Sequence, residues 1–171
     1  MKITKPSPEN YPSFYGSYID SVPEQIEPFL ENQWHEIKTF ILNTSKNKLD
    51  YRYGPDKWTI AEVFGHIIDV EKVMGYRLLA FSRKDNTSIP GFSEDDYVRN
   101  SVYINMEKED LAEWWQYERG ANLMMLNAIS QDALEFVGNA NGAPIKTSAL
   151  PYILGGHAQH HVNILKDRYK I

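Results

Sequence analysis

The stretch from Thr59 to Arg83 limits the fold more than any other part of the chain. Thr59 and Glu62 stand at the spacing of a capping box, and no proline follows until Pro90. Winding the stretch at about 100° per residue puts Val63, His66, Val70, Val73, Met74 and Arg77 on one stripe. Ile60, Phe64, Ile68 and Leu79 form a second apolar arc facing nearly the other way. A helix apolar on two sides is buried on two sides. One side belongs to a bundle interior, and the other faces a further core layer or a second subunit.

Three more segments carry the helical period. Val22 to about Lys46 opens with Ser21 and Glu24 as another capping box, with Pro23 in the first turn. Its inner arc is Ile26, Phe29, Leu30, Gln33, Ile37, Phe40 and Ile41, which leaves His35 on the solvated side. Met106 to Ser130 can be capped by Asn105, and its inner face is Leu111, Trp114, Trp115, Met125, Leu126 and Ile129. Glu118 and Asn122 fall inside that stripe. Buried acids are usually paired, so Glu118 reads either as the partner of a bundle arginine such as Arg77 or as a group at a metal. The last segment runs from Ser148, as N-cap, to about Tyr169, with Pro151 tolerated in the first turn. The fold class is therefore all-α, in a single domain over residues 1–171.

Between these segments lie three connections. Residues 1–20 hold three prolines and four aromatic rings, which suggests an irregular arm that packs by its rings. Asp85 to Asn105 is long for a compact domain, contains Pro90-Gly91-Phe92, and could start a short helix at Ser93; a connection of this length often covers a site. Asn139 to Pro144 is a turn or a small hairpin flanked by Val137 and Ile145.

The chemistry concentrates in Gly155-Gly156-His157-Ala158-Gln159-His160-His161. On a helix, His157 and His161 lie one turn apart, on either side of the stripe Leu150, Leu154, Ile164 and Leu165. His160 is turned about 100° from His161, so position selects His157 and His161 as the inward pair. The pair His157 and His160 is also stereochemically open, but it strands His161 on the most apolar part of the helix. His66 is the other histidine on an apolar helix face. Unpartnered imidazoles in a core cost on the order of 1–3 kcal/mol each. A divalent metal shared by His66, His157 and His161 relieves several of those costs together. Three protein ligands leave coordination positions open, which is the pattern of a catalytic site.

Other chemistries find no support. The chain has no cysteine, so it offers no thiolate or disulfide framework, which suits a reducing cytoplasm. A net charge of −5 argues against nucleic acid as a partner. No apolar run approaches the ~20 residues of a membrane helix, and the N-terminus lacks a signal core. Ala158 stands where a zinc protease carries its glutamate, and there is no nucleophile-elbow serine or phosphate loop.

The run from Tyr51-Arg-Tyr-Gly-Pro-Asp-Lys-Trp58 through His66 to Glu71 carries a family resemblance, as do Tyr76-Arg77, Phe81-Ser-Arg83 and Pro90-Gly91-Phe92. So does Gly155-Gly-His157-Ala-Gln-His160-His161 with Leu165-Lys-Asp-Arg-Tyr169. Together they resemble the DinB-like superfamily, which includes relatives of the bacillithiol and mycothiol transferases. The resemblance implies a four-helix bundle of up-down-down-up course. It implies zinc or nickel held at the positions of His66, His157 and His161, and a homodimer. His160, Glu118 and Arg77 are the neighbours that could orient ligands or substrate. The leading expectation is a metal-dependent enzyme, a thiol-cofactor S-transferase or a small hydrolase, acting on a small molecule; the catalytic residues are not legible. The alternative is a stress-response protein in which the metal only holds the bundle together.

Overall fold

A computed structural model describes residues 3–171; Met1 and Lys2, which begin the N-terminal arm, lie outside the described residues. In chain order the helices are α1 (Gly16–Asp20), α2 (Ile26–Asn43), α3 (Ile60–Ser82), α4 (Glu94–Arg99), α5 (Lys108–Leu126), α6 (Gln131–Leu134) and α7 (Leu150–Asp167). Strands β1 (Val137–Ala140) and β2 (Ala143–Lys146) form an antiparallel hairpin. Asn141 and Gly142 supply the two positive φ angles, 55° and 75°, that a two-residue hairpin turn requires.

The four long helices make the bundle, and side-chain bonds fix its course. Lys108 at the start of α5 donates to the carbonyl of Leu42 at the end of α2 at 2.6 Å, so these two run antiparallel. The Tyr169 hydroxyl beyond α7 donates to the Trp58 carbonyl before α3 at 2.6 Å, so those two are antiparallel as well. Asn122 of α5 donates to the Glu71 carbonyl of α3 at 3.1 Å, and Lys84 meets Asp132 further along, which makes α3 and α5 parallel. Gln33 of α2 donates to Gly155 O of α7 at 3.0 Å and Lys166 lies 5.7 Å over the Phe40 ring, so this pair is also parallel. The helices therefore run up, down, down, up, with α2 diagonal to α3.

Apolar side chains form two clusters, one toward the hairpin and N-terminal arm and one around Phe64, Trp115 and Leu165. Polar residues separate them on every long helix: Gln33 on α2, His66 and Glu71 on α3, Arg119 and Asn122 on α5, and His157 on α7. Arg119 grips Glu71 with two bonds, Nε to Oε1 at 2.7 Å and Nη2 to Oε2 at 2.9 Å. Its Nη1 reaches Gln33 Oε1 at 2.9 Å, and Asn122 Nδ2 donates to Glu71 Oε1 at 2.9 Å. This polar layer spans three helices and touches α7 through Gln33.

Several sequence expectations hold in detail. Both halves of the Thr59–Glu62 capping box form, at 2.6 and 3.2 Å. The second arc of α3 is filled from within the chain: Ile60, Phe64 and Ile68 are buried, and Phe64 meets Phe40 edge to face. Leu79 alone of that arc is exposed. His35 is on the solvated side. No helix among the described residues is long and apolar enough to cross a membrane.

Others are corrected. The arm over 1–20 is not irregular throughout, because Gly16–Asp20 forms α1 against α7. Ser21 does not open α2; its hydroxyl donates back to Tyr18 O at 2.7 Å and closes α1, so α2 starts only at Ile26. The third long helix stops at Leu126, and Ser130 caps the separate α6 by accepting from Ala133 N at 3.2 Å. A short 3-10 turn at Thr147–Ala149 runs directly into α7, so Ser148 is not its cap.

Candidate metal centre

Three imidazoles meet where α3 and α7 cross the middle of the bundle. His66 Nε2 lies 3.0 Å from His157 Nε2 and 3.1 Å from His161 Nε2. One nitrogen from each ring falls within 4.8 Å of the other two. The antiparallel course creates this meeting: one histidine midway along α3 sits opposite a pair spaced one turn on α7. Gly65 and Gly156 permit the close packing around it. A Cβ at Gly65 would sit 2.2 Å from the Tyr103 ring, and one at Gly156 would sit 2.1 Å from the Tyr18 carbonyl oxygen.

Burial governs the charge of the trio. His66 is 1% and His157 5% exposed, and His161 is partly buried. Burial pulls the His66 pKa down from 6.5 to about 4, against a smaller opposing effect of Asp95. Burial, helped by the neighbouring histidines, pulls His161 down to about 2 and holds His157 well below its ordinary value. At neutral pH the three rings are therefore uncharged. Three neutral Nε2 atoms facing one another cannot all be satisfied: a nitrogen with its proton has one hydrogen bond to give, and nitrogens without protons repel through their lone pairs. A cation among them accepts all three lone pairs. The residues present fit a divalent metal, and they already hold the deprotonated form that a metal requires.

Aromatic rings wall the trio. Trp58 lies 4.7 Å from the His66 ring and stacks on His161 at 6.5 Å, while Tyr18 and His157 meet at right angles at 5.6 Å. His160 is exposed, with its ring between Tyr18 at 5.3 Å and His161 at 5.1 Å. Two cavities open on either side of the histidines. One, of about 270 Å³, is lined by His157 together with Tyr15, Tyr18, Arg77, Phe92 and Glu94. The other, of about 240 Å³, is lined by His161 with Tyr53, Lys57, Trp58 and Asp95.

The connection after α3 does reach the site. Ile89 pairs with the hairpin, its N–H donating to Asn139 O and its carbonyl accepting from Asn141 N, both at 2.9 Å. This anchorage brings Gly91 and Phe92 to the first cavity. Ser93 then caps α4 by accepting from Asp96 N at 3.2 Å, and α4 places Glu94 on one cavity and Asp95 on the other.

The anticipated neighbours separate. Arg77 shares the first cavity with His157. Glu118 is not brought to the histidines or to Arg77; its carboxylate is held by Lys72 and by Trp114 Nε1, the latter at 3.1 Å. The inner seam of α5 runs through Leu111, Trp115, Arg119, Asn122 and Leu126, so Glu118 stands one position off it. The buried acid–arginine pair of the bundle is Glu71–Arg119. Glu94, Asp95, Tyr18 and Trp58 escaped sequence reasoning as site residues, since nothing in their spacing distinguishes cavity lining from cap, arm or turn.

Fold and site together define a class: an up-down-down-up four-helix bundle with a buried three-histidine cluster between its second and last long helices. The chain belongs to the DinB superfamily, whose family model matches residues 30–165. Among solved structures it is similar to YfiT from Bacillus subtilis, described as a probable metal-dependent hydrolase with an unusual four-helix bundle topology. The two share 16% identity and a TM-score of 0.75, over 88% of this chain and 91% of that one. No curated protein matches the sequence significantly.

Proposed function

We propose that this chain is a metal-dependent enzyme acting on a small molecule, with one divalent ion, zinc or nickel, held by His66, His157 and His161. The observation that carries this reading is the convergence of three uncharged Nε2 atoms beside an open cavity. The description of YfiT as a probable metal-dependent hydrolase supports the same class. When bound, a divalent ion supplies Lewis acidity, which activates a water or a low-molecular-weight thiol and polarises the group under attack. The chain's own residues supply the surroundings. Trp58 and Tyr18 limit solvent at the trio, which strengthens electrostatic contacts there. Glu94 lines the cavity, where desolvation raises its carboxyl pKa, so it is suited to hold and return a proton.

The test begins with untagged protein, whose elemental analysis should give about one zinc or nickel per chain, falling to near zero in His161→Ala. Loaded protein is then screened with small esters and amides, and separately with bacillithiol or mycothiol plus an electrophile. Turnover that survives His161→Ala would remove the mechanism. A large drop in Tm on chelation, with no turnover in either screen, would assign the metal a structural role instead.

A further inference from the structure

Two arginines are buried among the described residues, and they are treated very differently. Arg119 is gripped by Glu71. Arg77, only 2% exposed, forms no salt bridge. Its Nη1 reaches the Tyr15 hydroxyl at 3.3 Å and Met74 Sδ at 3.6 Å, and its Nη2 reaches Pro90 O at 3.5 Å. These contacts lie at the outer edge of hydrogen bonding, and none carries charge. Its Nε has no partner at all. Arginine cannot discharge by losing a proton, so a buried guanidinium without a carboxylate calls for an anion from elsewhere.

The anion has a place to sit. Arg77 lines the cavity of about 270 Å³ that His157 also lines, with Tyr15, Tyr18, Met74 and Phe92 as largely apolar walls. Glu94 lines it too, yet does not pair with Arg77. We propose that this cavity takes the carboxylate of a small organic acid, seated on Arg77, with the body of the acid between the aromatic rings and its other end toward His157. A planar carboxylate matches the fork of a guanidinium, and the volume suits an acid no larger than a small aromatic one. As a substrate subsite this rests on the reading given above; as an anion site it stands on Arg77 alone.

The test uses full-length, chelator-treated protein, so that it does not depend on the metal. Calorimetric titration with sodium benzoate should give saturable one-site binding, while benzamide, its neutral counterpart, should not bind. Arg77→Lys should weaken benzoate about tenfold, because the charge stays and the fork is lost. Glu94→Gln, at an exposed residue that does not threaten folding, should tighten it by roughly threefold through loss of a like charge. His161→Ala should bind benzoate as the wild type does. The assignment is overturned if benzoate fails to bind, if benzamide binds equally, or if inorganic phosphate binds more tightly. It is also overturned if Arg77→Lys or Glu94→Gln leaves the affinity unchanged. Loss of benzoate binding in His161→Ala would tie the anion to the histidines rather than to Arg77.

Discussion

Removing either member of the Glu71–Arg119 pair should cost at least as much as removing both, and removing Glu71 alone should cost more. The two side chains are each 1% exposed, and they are joined by two charge-assisted bonds of 2.7 and 2.9 Å. Glu71→Leu leaves a guanidinium that cannot discharge, held only by Gln33 and by the face of Trp115 at 4.6 Å. Its expected cost is about 3–5 kcal/mol. Arg119→Met leaves a carboxylate with Asn122 as its remaining side-chain donor. Because a carboxylate can take up a proton, the cost should be nearer the lower end, about 3 kcal/mol. In Glu71→Leu/Arg119→Met the two charges vanish together and similar volumes remain. What is left is Gln33 Oε1 without its donor and one Asn122 N–H without its acceptor, while Gln33 still donates to Gly155 O and Asn122 to the carbonyl of residue 71; the loss is worth about 1–3 kcal/mol in all. The cycle should thus show a coupling of several kcal/mol. Urea unfolding followed by far-UV circular dichroism measures all four proteins. Additive single effects, or single effects below about 1 kcal/mol, would show that the layer does not hold the helices as described.

Gly156→Ala should destabilise the protein by about 1–3 kcal/mol, since its Cβ would press to 2.1 Å from the Tyr18 carbonyl and α1 must move away. The same movement should loosen the Tyr18 contact with His157, visible as a changed His157 imidazole resonance; an unaltered melting curve would contradict the packing. Metal-free protein should lose stability as pH falls from 6.5 toward 4. In that window the unfolded chain takes up a proton on His66 that the folded chain, with its pKa near 4, refuses. His66 alone accounts for on the order of 3 kcal/mol across the window, and the depressed His157 and His161 act in the same direction. A urea midpoint that stays flat from pH 7 to pH 5 would refute this. We further propose a homodimer that covers the exposed Tyr76 and Leu79 of α3 and Met124 of α5. Sedimentation velocity should show a dimer for the wild type and a monomer for Tyr76→Asp/Leu79→Asp, and a wild-type monomer ends the proposal.

The histidine trio was legible because two regularities met. The helical period placed His66 on one buried stripe and put His157 and His161 on another, and a bundle brings such stripes together. The same regularity could not separate Glu118 from Arg119. Trp114 and Trp115 sit side by side on α5, so a shift of one residue leaves an equally aromatic stripe. Only the partners across the interface, Glu71 and Gln33, decide which neighbour turns inward.

The helix within the N-terminal arm was hidden for a different reason. The five-residue helix α1 is too short to carry a period and too short to be stable alone, so it exists through what it packs on. Besides its aromatic rings, a trace of that packing in the sequence is on the other side, at Gly156. A glycine inside a helix weakens it, and it is tolerated where another backbone must come close. Here that backbone is Tyr18's, set against Gly156, the residue before His157. The close approach sets the Tyr18 ring against His157, and Tyr15, on the same segment, meets Arg77. An arm expected only to pack by its rings therefore closes one wall of the cavity. Its docking on Gly156 connects the packing of the bundle to the shape of the site.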